Sequence, residues 1–167
     1  QADGVLPDEV RLTHLRLEET PLLIGELDLN THKTSLTRVY EFAASHRLDV
    51  PTYSEEQNKA LFGKCNNPAG HGHNYVVEVT VTGDVDAETG MLADIGVVDD
   101  IVEKLVVDRY DHKNFNVDLP EFTGKVTTSE VIVQEIFHRL QHALPVKLSR
   151  VRLFETPRNS FEVVASD

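Results

Sequence analysis

The sequence predicts an α+β domain in which a four-stranded antiparallel sheet carries two helices on one face. Strand-like alternation of apolar residues lies on both sides of two helical patterns, in the order β-β-α-α-β-β. This order separates strands from helices along the chain, unlike the βαβ repeats of parallel sheets. The 167 residues are enough for one ordinary domain with a sizeable core.

Two strands are expected before the helices. Residues 1–36 show no sustained period and are interpreted as an N-terminal extension of unknown role, with one short strand at 22–29. Alternation from Thr37 predicts a strand that runs to His46, and the valine-rich residues 73–82 predict a second strand antiparallel to it. The polar loop between them includes one expected helical turn at 55–61.

The two helices are predicted from apolar residues at helical spacing. Apolar residues at i, i+3, i+4 and i+7 from Val98 predict a helix over 96–108. Thr127 and Glu130 have the spacing of a capping box, which predicts that a second helix begins there and ends before Pro145.

The last two strands are predicted at 147–155 and 160–165, joined by a turn containing Pro157. With them, residues 37–167 form the single predicted domain.

Composition limits the classes of partner. The 16 basic and 28 acidic residues give a net charge of -12, which disfavours nucleic-acid binding but allows a small anionic substrate beside a bound cation. Cys65 is the only cysteine, so an intrachain disulfide is impossible, and a reducing cytoplasm is expected. No apolar run has the length of a membrane span.

Three histidines suggest a metal site. His71 and His73 project to the same face of a strand, and antiparallel pairing can bring His46 beside them. Three imidazoles with an open fourth position are typical of catalytic zinc, whereas structural zinc sites use four ligands rich in cysteine. The alternative, exposed histidines without a metal, is common for an isolated HxH pair.

Cys65 lies in a loop shaped by glycines and a proline, directly before this HxH pair. A nearby zinc ion would favour its thiolate, which suits a nucleophile or a base. The alternative is an inert buried cysteine, the commoner role of a lone thiol.

Four motifs together resemble the 6-pyruvoyl tetrahydropterin synthase family: FGKCNNPAGHGHNY, FAASHRL at 42–48, YDHKNF at 110–115, and the late pair Glu155-Thr156. The similarity extends over residues 37–165. It implies the tunnelling fold, in which the sheets of a homo-oligomer join into a barrel as trimers that stack into hexamers, with active sites at subunit boundaries.

The resemblance also implies roles for particular residues. It places zinc on His46, His71 and His73. Proton abstraction falls to Cys65, assisted by Asp111 and His112. It assigns pterin binding to Glu155, whose carboxylate can accept two parallel hydrogen bonds. It also assigns pterin contacts to residues at a helix start: Thr127, Thr128, Ser129 and Glu130. Glu130 is also interpreted as a helix cap. Val131 departs from the asparagine often found at its position in the family.

The implied reaction is conversion of 7,8-dihydroneopterin triphosphate to 6-pyruvoyl-tetrahydropterin with elimination of triphosphate, a carbon-oxygen lyase reaction. Arg47, Lys64 and Lys113 are candidates for contacting the triphosphate. A competing function is that of 6-carboxy-tetrahydropterin synthase of queuosine biosynthesis, but the five residues between Cys65 and His71 resemble the pyruvoyl enzyme. Two further alternatives to the pyruvoyl enzyme are a non-catalytic pterin- or zinc-binding module and a zinc hydrolase.

Overall fold

The centre of the fold is the antiparallel pair of long strands β3 (Thr34–His46) and β4 (His71–Gly83). In the computed structural model, which describes residue 7 and residues 9–166, alternate side chains of both strands face a buried apolar core. Phe42 and Tyr75 lie directly opposite each other on that face, with ring centroids 5.2 Å apart. The predicted alternation of apolar residues therefore forms the core side of the sheet.

The sheet contains seven strands among the described residues, so the predicted four-stranded sheet is wrong in its extent. Besides β3 and β4, the strands are β1 (His14–Thr20), β2 (Leu23–Asp28), β5 (Lys113–Asn114), β6 (Lys147–Thr156) and β7 (Asn159–Val164). The hydrogen-bonded order is β1-β2-β3-β4-β6-β7, with neighbours antiparallel, and β5 pairs with β3 in parallel.

The additional strands come mainly from the N-terminal extension. The strand expected at 22–29 is present as β2, and it forms a hairpin with β1, which the sequence did not predict. All seven residues of β1 are exposed, so this strand lacks the one-sided burial that produces an apolar alternation. β3 also begins three residues earlier than expected, at Thr34 rather than Thr37, because its first residues pair with β2.

Two helices, α2 (Ile95–Val102) and α4 (Ser129–Leu140), contribute to the same core as the sheet. The predicted helix over 96–108 is present, but it changes after α2 into a π-helical turn at Glu103–Val107 and ends as the short α3 (Asp108–Tyr110). The expected turn near residue 55 is the helix α1 (Glu55–Phe62). No helix in the described part of the chain is both long and apolar enough to cross a membrane.

Gly70 lets the loop after α1 return closely to the end of β3. Its φ is +71°, and a Cβ at this position would lie 3.0 Å from the backbone carbonyl oxygen of His46. Side chains rarely adopt this backbone conformation, and the facing carbonyl belongs to a paired strand that cannot easily move. Glycine is therefore required where the loop meets β3.

Gly70→Ala should destabilise the protein more than Gly90→Ala. Gly90 has almost the same φ, +72°, but a Cβ added there would have no atom within 4 Å, so only the backbone strain of about 1 kcal/mol should apply. Chemical denaturation of both variants measures the difference in the free energy of unfolding. Equal losses of unfolding free energy in the two variants would show that the close contact with the His46 carbonyl relaxes at no cost in stability.

Candidate metal centre

The three predicted histidines lie together at one end of the β3–β4 pair. His46 ends β3 and is directly opposite His71, the first residue of β4, while His73 follows on the same face of β4. One ring nitrogen from each histidine lies within 4.8 Å of the other two. The strand register thus builds a cluster of three imidazoles.

A backbone carbonyl orients His46. Its side chain is 1% exposed, and Nδ1 lies 2.7 Å from the carbonyl oxygen of Thr127, to which it must donate a hydrogen. The proton is therefore on Nδ1, and the lone pair of Nε2 faces the cluster. Burial lowers the pKa of His46 below its ordinary value, which favours the neutral, metal-binding form.

The nitrogen atoms of the cluster converge on a space that could hold a metal ion. Nε2 of His46 lies 3.2 Å from Nε2 of His71, and Nε2 of His73 is buried without a hydrogen-bond partner among the described residues. Burial lowers the pKa of His73 as well, so this ring also favours its neutral form. Three converging imidazoles, one of which has a buried Nε2 without a hydrogen-bond partner among the described residues, fit a zinc ion by donor type and number.

Glu155 lies beside the histidine cluster. Its Oε1 is 3.6 Å from Nε2 of His46 and 3.8 Å from Nε2 of His73, and it accepts a hydrogen bond of 2.9 Å from the Ser129 hydroxyl. Its second oxygen lies 3.5 Å from the Asn159 side-chain amide. The structure therefore brings this predicted pterin anchor next to the predicted metal ligands.

The start of α4 is not capped in the way that the sequence predicted. Thr128 is the N-cap residue and makes no side-chain capping bond, so the capping box between Thr127 and Glu130 is wrong. Thr127 is instead buried, and its hydroxyl donates to the Arg47 carbonyl oxygen at 3.2 Å. Glu130 is exposed. The connection of Thr127 and Ser129 to His46 and Glu155 was missed because it joins residues far apart in sequence.

Cys65 lies in a 3₁₀ turn, Gly63–Asn66, and is half-buried. Its carbonyl oxygen accepts a hydrogen bond of 2.9 Å from Leu48 N–H, and Asn66 Nδ2 donates to the Leu48 carbonyl oxygen at 2.7 Å. These bonds hold the turn against the chain just after β3. Within the described residues the Cys65 thiol makes no hydrogen bond. A single copy of the chain therefore does not connect the thiol to Asp111 or His112 by a hydrogen bond.

Asp111 and His112 form a hydrogen-bonded pair that is held against β3, whereas the Cys65 turn is held just after β3. Asp111 accepts hydrogen bonds from the Ala43 N–H at 2.8 Å and from His112 Nδ1 at 2.6 Å, and both interactions lower its pKa. The His112 side chain is 83% exposed. Together with Lys113, it lines an open cleft of about 570 Å³ that also includes His73.

Tyr75 belongs to the site, although the sequence did not assign it a role there. Its ring is fully buried, 5.5 Å from the His73 ring and 6.3 Å from the His46 ring between centroids. The period-two pattern from His71 through His73 places it on the same face and would have identified it. Burial strongly raises the pKa of its hydroxyl, so the group stays protonated.

The fold and the cluster together define a class: a mixed protein of helices and antiparallel sheet with a group of three histidines that could hold a metal ion where two central strands meet. The family model for 6-pyruvoyl tetrahydropterin synthase matches residues 35–166. The chain belongs to this family.

Known proteins agree with this assignment. The 6-pyruvoyl tetrahydrobiopterin synthase of Homo sapiens is 43% identical over 128 residues, which cover 76% of this chain and 88% of the human protein. The solved 6-pyruvoyl tetrahydropterin synthase of Caenorhabditis elegans superposes with a TM-score of 0.76 at 38% identity, covering 80% of this chain and 96% of that one. The 6-carboxy-5,6,7,8-tetrahydropterin synthase of Haemophilus influenzae is less similar, at 31% identity over 147 residues, with 76% of this chain and 96% of that protein covered.

Metal analysis of the purified protein should find about one zinc per chain. His71→Ala should lose most of it, because two imidazoles bind zinc far more weakly than three. The exposed His142, which lies outside the cluster, provides the matched control His142→Ala. Unchanged zinc content in the single alanine variants of all three cluster histidines would contradict the site.

Proposed function

We propose that this chain converts 7,8-dihydroneopterin triphosphate to 6-pyruvoyl-tetrahydropterin with elimination of triphosphate, using zinc on His46, His71 and His73. The observation that carries the proposal is the convergence of three imidazole nitrogens within 4.8 Å, with the Glu155 carboxylate beside them. Membership of the family supplies the substrate class. When bound, zinc supplies Lewis-acid chemistry, which acidifies C–H and O–H groups next to the oxygen atoms it contacts.

Glu155 is proposed to anchor the pterin ring. The Ser129 hydroxyl donates to one carboxylate oxygen and thereby fixes the orientation of the side chain. A carboxylate held in this way can accept the two parallel hydrogens of the pterin 2-amino and N3 groups. Thr127, Thr128 and Glu130, at the start of α4, are proposed to contact the same ring.

Cys65 is proposed to take and return protons, with His112 and Asp111 as its relay. In one chain the two parts are held at different places, the thiol turn at Leu48, just after β3, and the relay pair at Ala43 within β3. A homo-oligomer with its active sites at subunit boundaries would let one copy supply the thiol and another the relay. The exposure of His112 supports this arrangement.

The triphosphate is proposed to lie near the open cleft that includes Lys113. Lys64 is exposed in a second cleft and remains a candidate. Arg47 is the weakest of the three, because it already binds the Asn66 carbonyl oxygen and forms an ion pair with Asp49 at 3.3 Å. We also propose that residues 37–167 are the pterin synthase domain and that residues 1–36 are an extension to it.

A comparison of the zinc-loaded wild type with Cys65→Ala should separate an effect on turnover from an effect on pterin binding. Incubated with 7,8-dihydroneopterin triphosphate, the wild type should release triphosphate and form a product with the mass of 6-pyruvoyl-tetrahydropterin. Cys65→Ala should keep zinc and pterin affinity but lose at least about two orders of magnitude in kcat, the usual effect of removing a general base. Mass spectrometry of the product and metal analysis provide the measurements.

Two outcomes of this experiment would oppose the proposal. A 6-carboxy product would assign the chain to the sister reaction, and pterin binding without turnover would make it a binding module. Wild-type turnover by Cys65→Ala would show that another group is the base.

Glu155→Gln should keep its zinc but bind pterin at least about tenfold more weakly, because an amide donor would face the donors of the ring and a charge-assisted pair would be lost. Calorimetric titration with a pterin measures the affinity. Glu41→Gln removes the same charge from an exposed position of β3 and serves as the control. Equal affinity in both variants would leave Glu155 with a structural role only.

A further inference from the structure

The buried side chain of Asn66 ties the Cys65 turn to the segment that follows β3. Asn66 is 5% exposed, and its Nδ2 donates to the Leu48 carbonyl oxygen at 2.7 Å and to Asp49 Oδ1 at 3.1 Å. The neighbouring backbone is paired as well, because Leu48 N–H donates to the Cys65 carbonyl oxygen. Buried polar groups are costly to leave unpaired, so each of these bonds resists movement of the turn.

The Arg47 guanidinium binds the same turn. Its Nε and Nη2 donate to two oxygen atoms of Asn66, the backbone carbonyl oxygen and Oδ1, both at 3.3 Å. Nη2 also forms an ion pair with Asp49 Oδ1 at 3.3 Å. A planar guanidinium can bind two acceptors in a fixed geometry, which the single ammonium group of a lysine cannot. The charge of Arg47 is therefore already paired within its own chain.

The backbone of Arg47 is fixed by two other parts of the site. Arg47 N–H donates to Asn116 Oδ1 at 2.8 Å, and Asn116 Nδ2 donates to the Arg47 carbonyl oxygen at 3.0 Å. The Thr127 hydroxyl donates to the same carbonyl oxygen at 3.2 Å. Because Arg47 directly follows His46, this one residue connects the end of β3 with the Cys65 turn, the loop after β5 and the start of α4.

We infer that Arg47 and Asn66 are positioning residues, which hold the Cys65 turn at a fixed place relative to His46. The inference rests on the proposed function of Cys65 in proton transfer. A general base must lie within hydrogen-bond reach of the proton that it takes, and a displacement of about 1 Å can cost about a hundredfold in rate. A turn that is bonded to the residues directly after His46 keeps its geometry relative to that histidine.

A contact between Arg47 and the triphosphate would have different consequences. Such a contact acts mainly through charge, so a lysine would replace Arg47 in large part, and its loss would raise KM. Its effect would also be independent of Asn66. Positioning of the turn instead requires the guanidinium geometry and lowers kcat.

A double-mutant cycle on kcat tests whether Arg47 and Asn66 act as one unit. Arg47→Lys keeps the charge but loses the paired bonds to Asn66, and Asn66→Ala removes the side chain of the turn that Arg47 binds. Each variant should lose about tenfold in kcat with KM within about twofold of the wild type, and the double variant should lose no more than the larger single loss. The control Arg152→Lys likewise loses bonds from Nε and Nη2 to one neighbour, Ser160, and should keep its kcat.

Three outcomes of the cycle would overturn the inference. Losses that multiply to about a hundredfold in the double variant would show that the two residues act independently. A raised KM with unchanged kcat in Arg47→Lys would place Arg47 on the substrate. Wild-type kcat in both single variants would show that the turn needs neither side chain.

Alkylation of Cys65 measures how firmly the turn is held, without catalysis. Cys65 is the only cysteine, so the reaction with iodoacetamide at a pH of about 10, where free thiols are ionised, reports on this turn alone. Zinc-free Arg47→Lys and Asn66→Ala should each react about tenfold faster than the wild type, because local opening exposes the half-buried thiol, and Arg152→Lys should react at the wild-type rate. Equal rates in all four proteins would overturn the inference. The assay uses neither zinc nor pterin, so a wild type without turnover but with this rate difference would refute the proposed reaction and leave the role of the two residues in holding the turn intact.

Discussion

The register of β3 against β4 is the constraint on which the rest of the site depends. It sets His46 directly opposite His71 and Phe42 directly opposite Tyr75, so the same pairing forms both the histidine cluster and the core beneath it. A slip of one residue would turn every side chain of one strand to the other face. Burial of the aromatic side chains therefore also protects the position of the imidazoles.

The start of α4 connects this strand pair to the helices. The Thr127 carbonyl fixes the ring of His46, and the Ser129 hydroxyl fixes the carboxylate of Glu155, while Ile132 and Ile136 of the same helix are fully buried in the core. Packing of α4 thus determines the orientation of both functional side chains. A change in the core under α4 would therefore shift the His46 ring and the Glu155 carboxylate without altering either residue.

The sequence predicted the elements in which buried residues recur at a regular interval. β3, β4, α4 and the histidine pair His71 and His73 each follow from a repeat of two or of about 3.6 residues. It failed at β1, whose residues are all exposed, and at Thr127, whose carbonyl reaches His46 across 81 residues of sequence. Such contacts leave no local pattern, because they depend on how distant segments pack together.

The backbone of His112 is held in an unfavourable conformation. Its φ of 56° lies in the left-handed region, which is unfavourable for a residue other than glycine. Bonds from its own N–H to the Ala43 carbonyl and from its ring to Asp111 maintain this conformation, yet 83% of the side chain remains exposed. Strain of this kind persists where the surrounding structure enforces it, and it commonly marks a functional group. An imidazole that is fixed, paired with a carboxylate and exposed is therefore accessible to a group from outside its own chain, as the proposed proton relay requires.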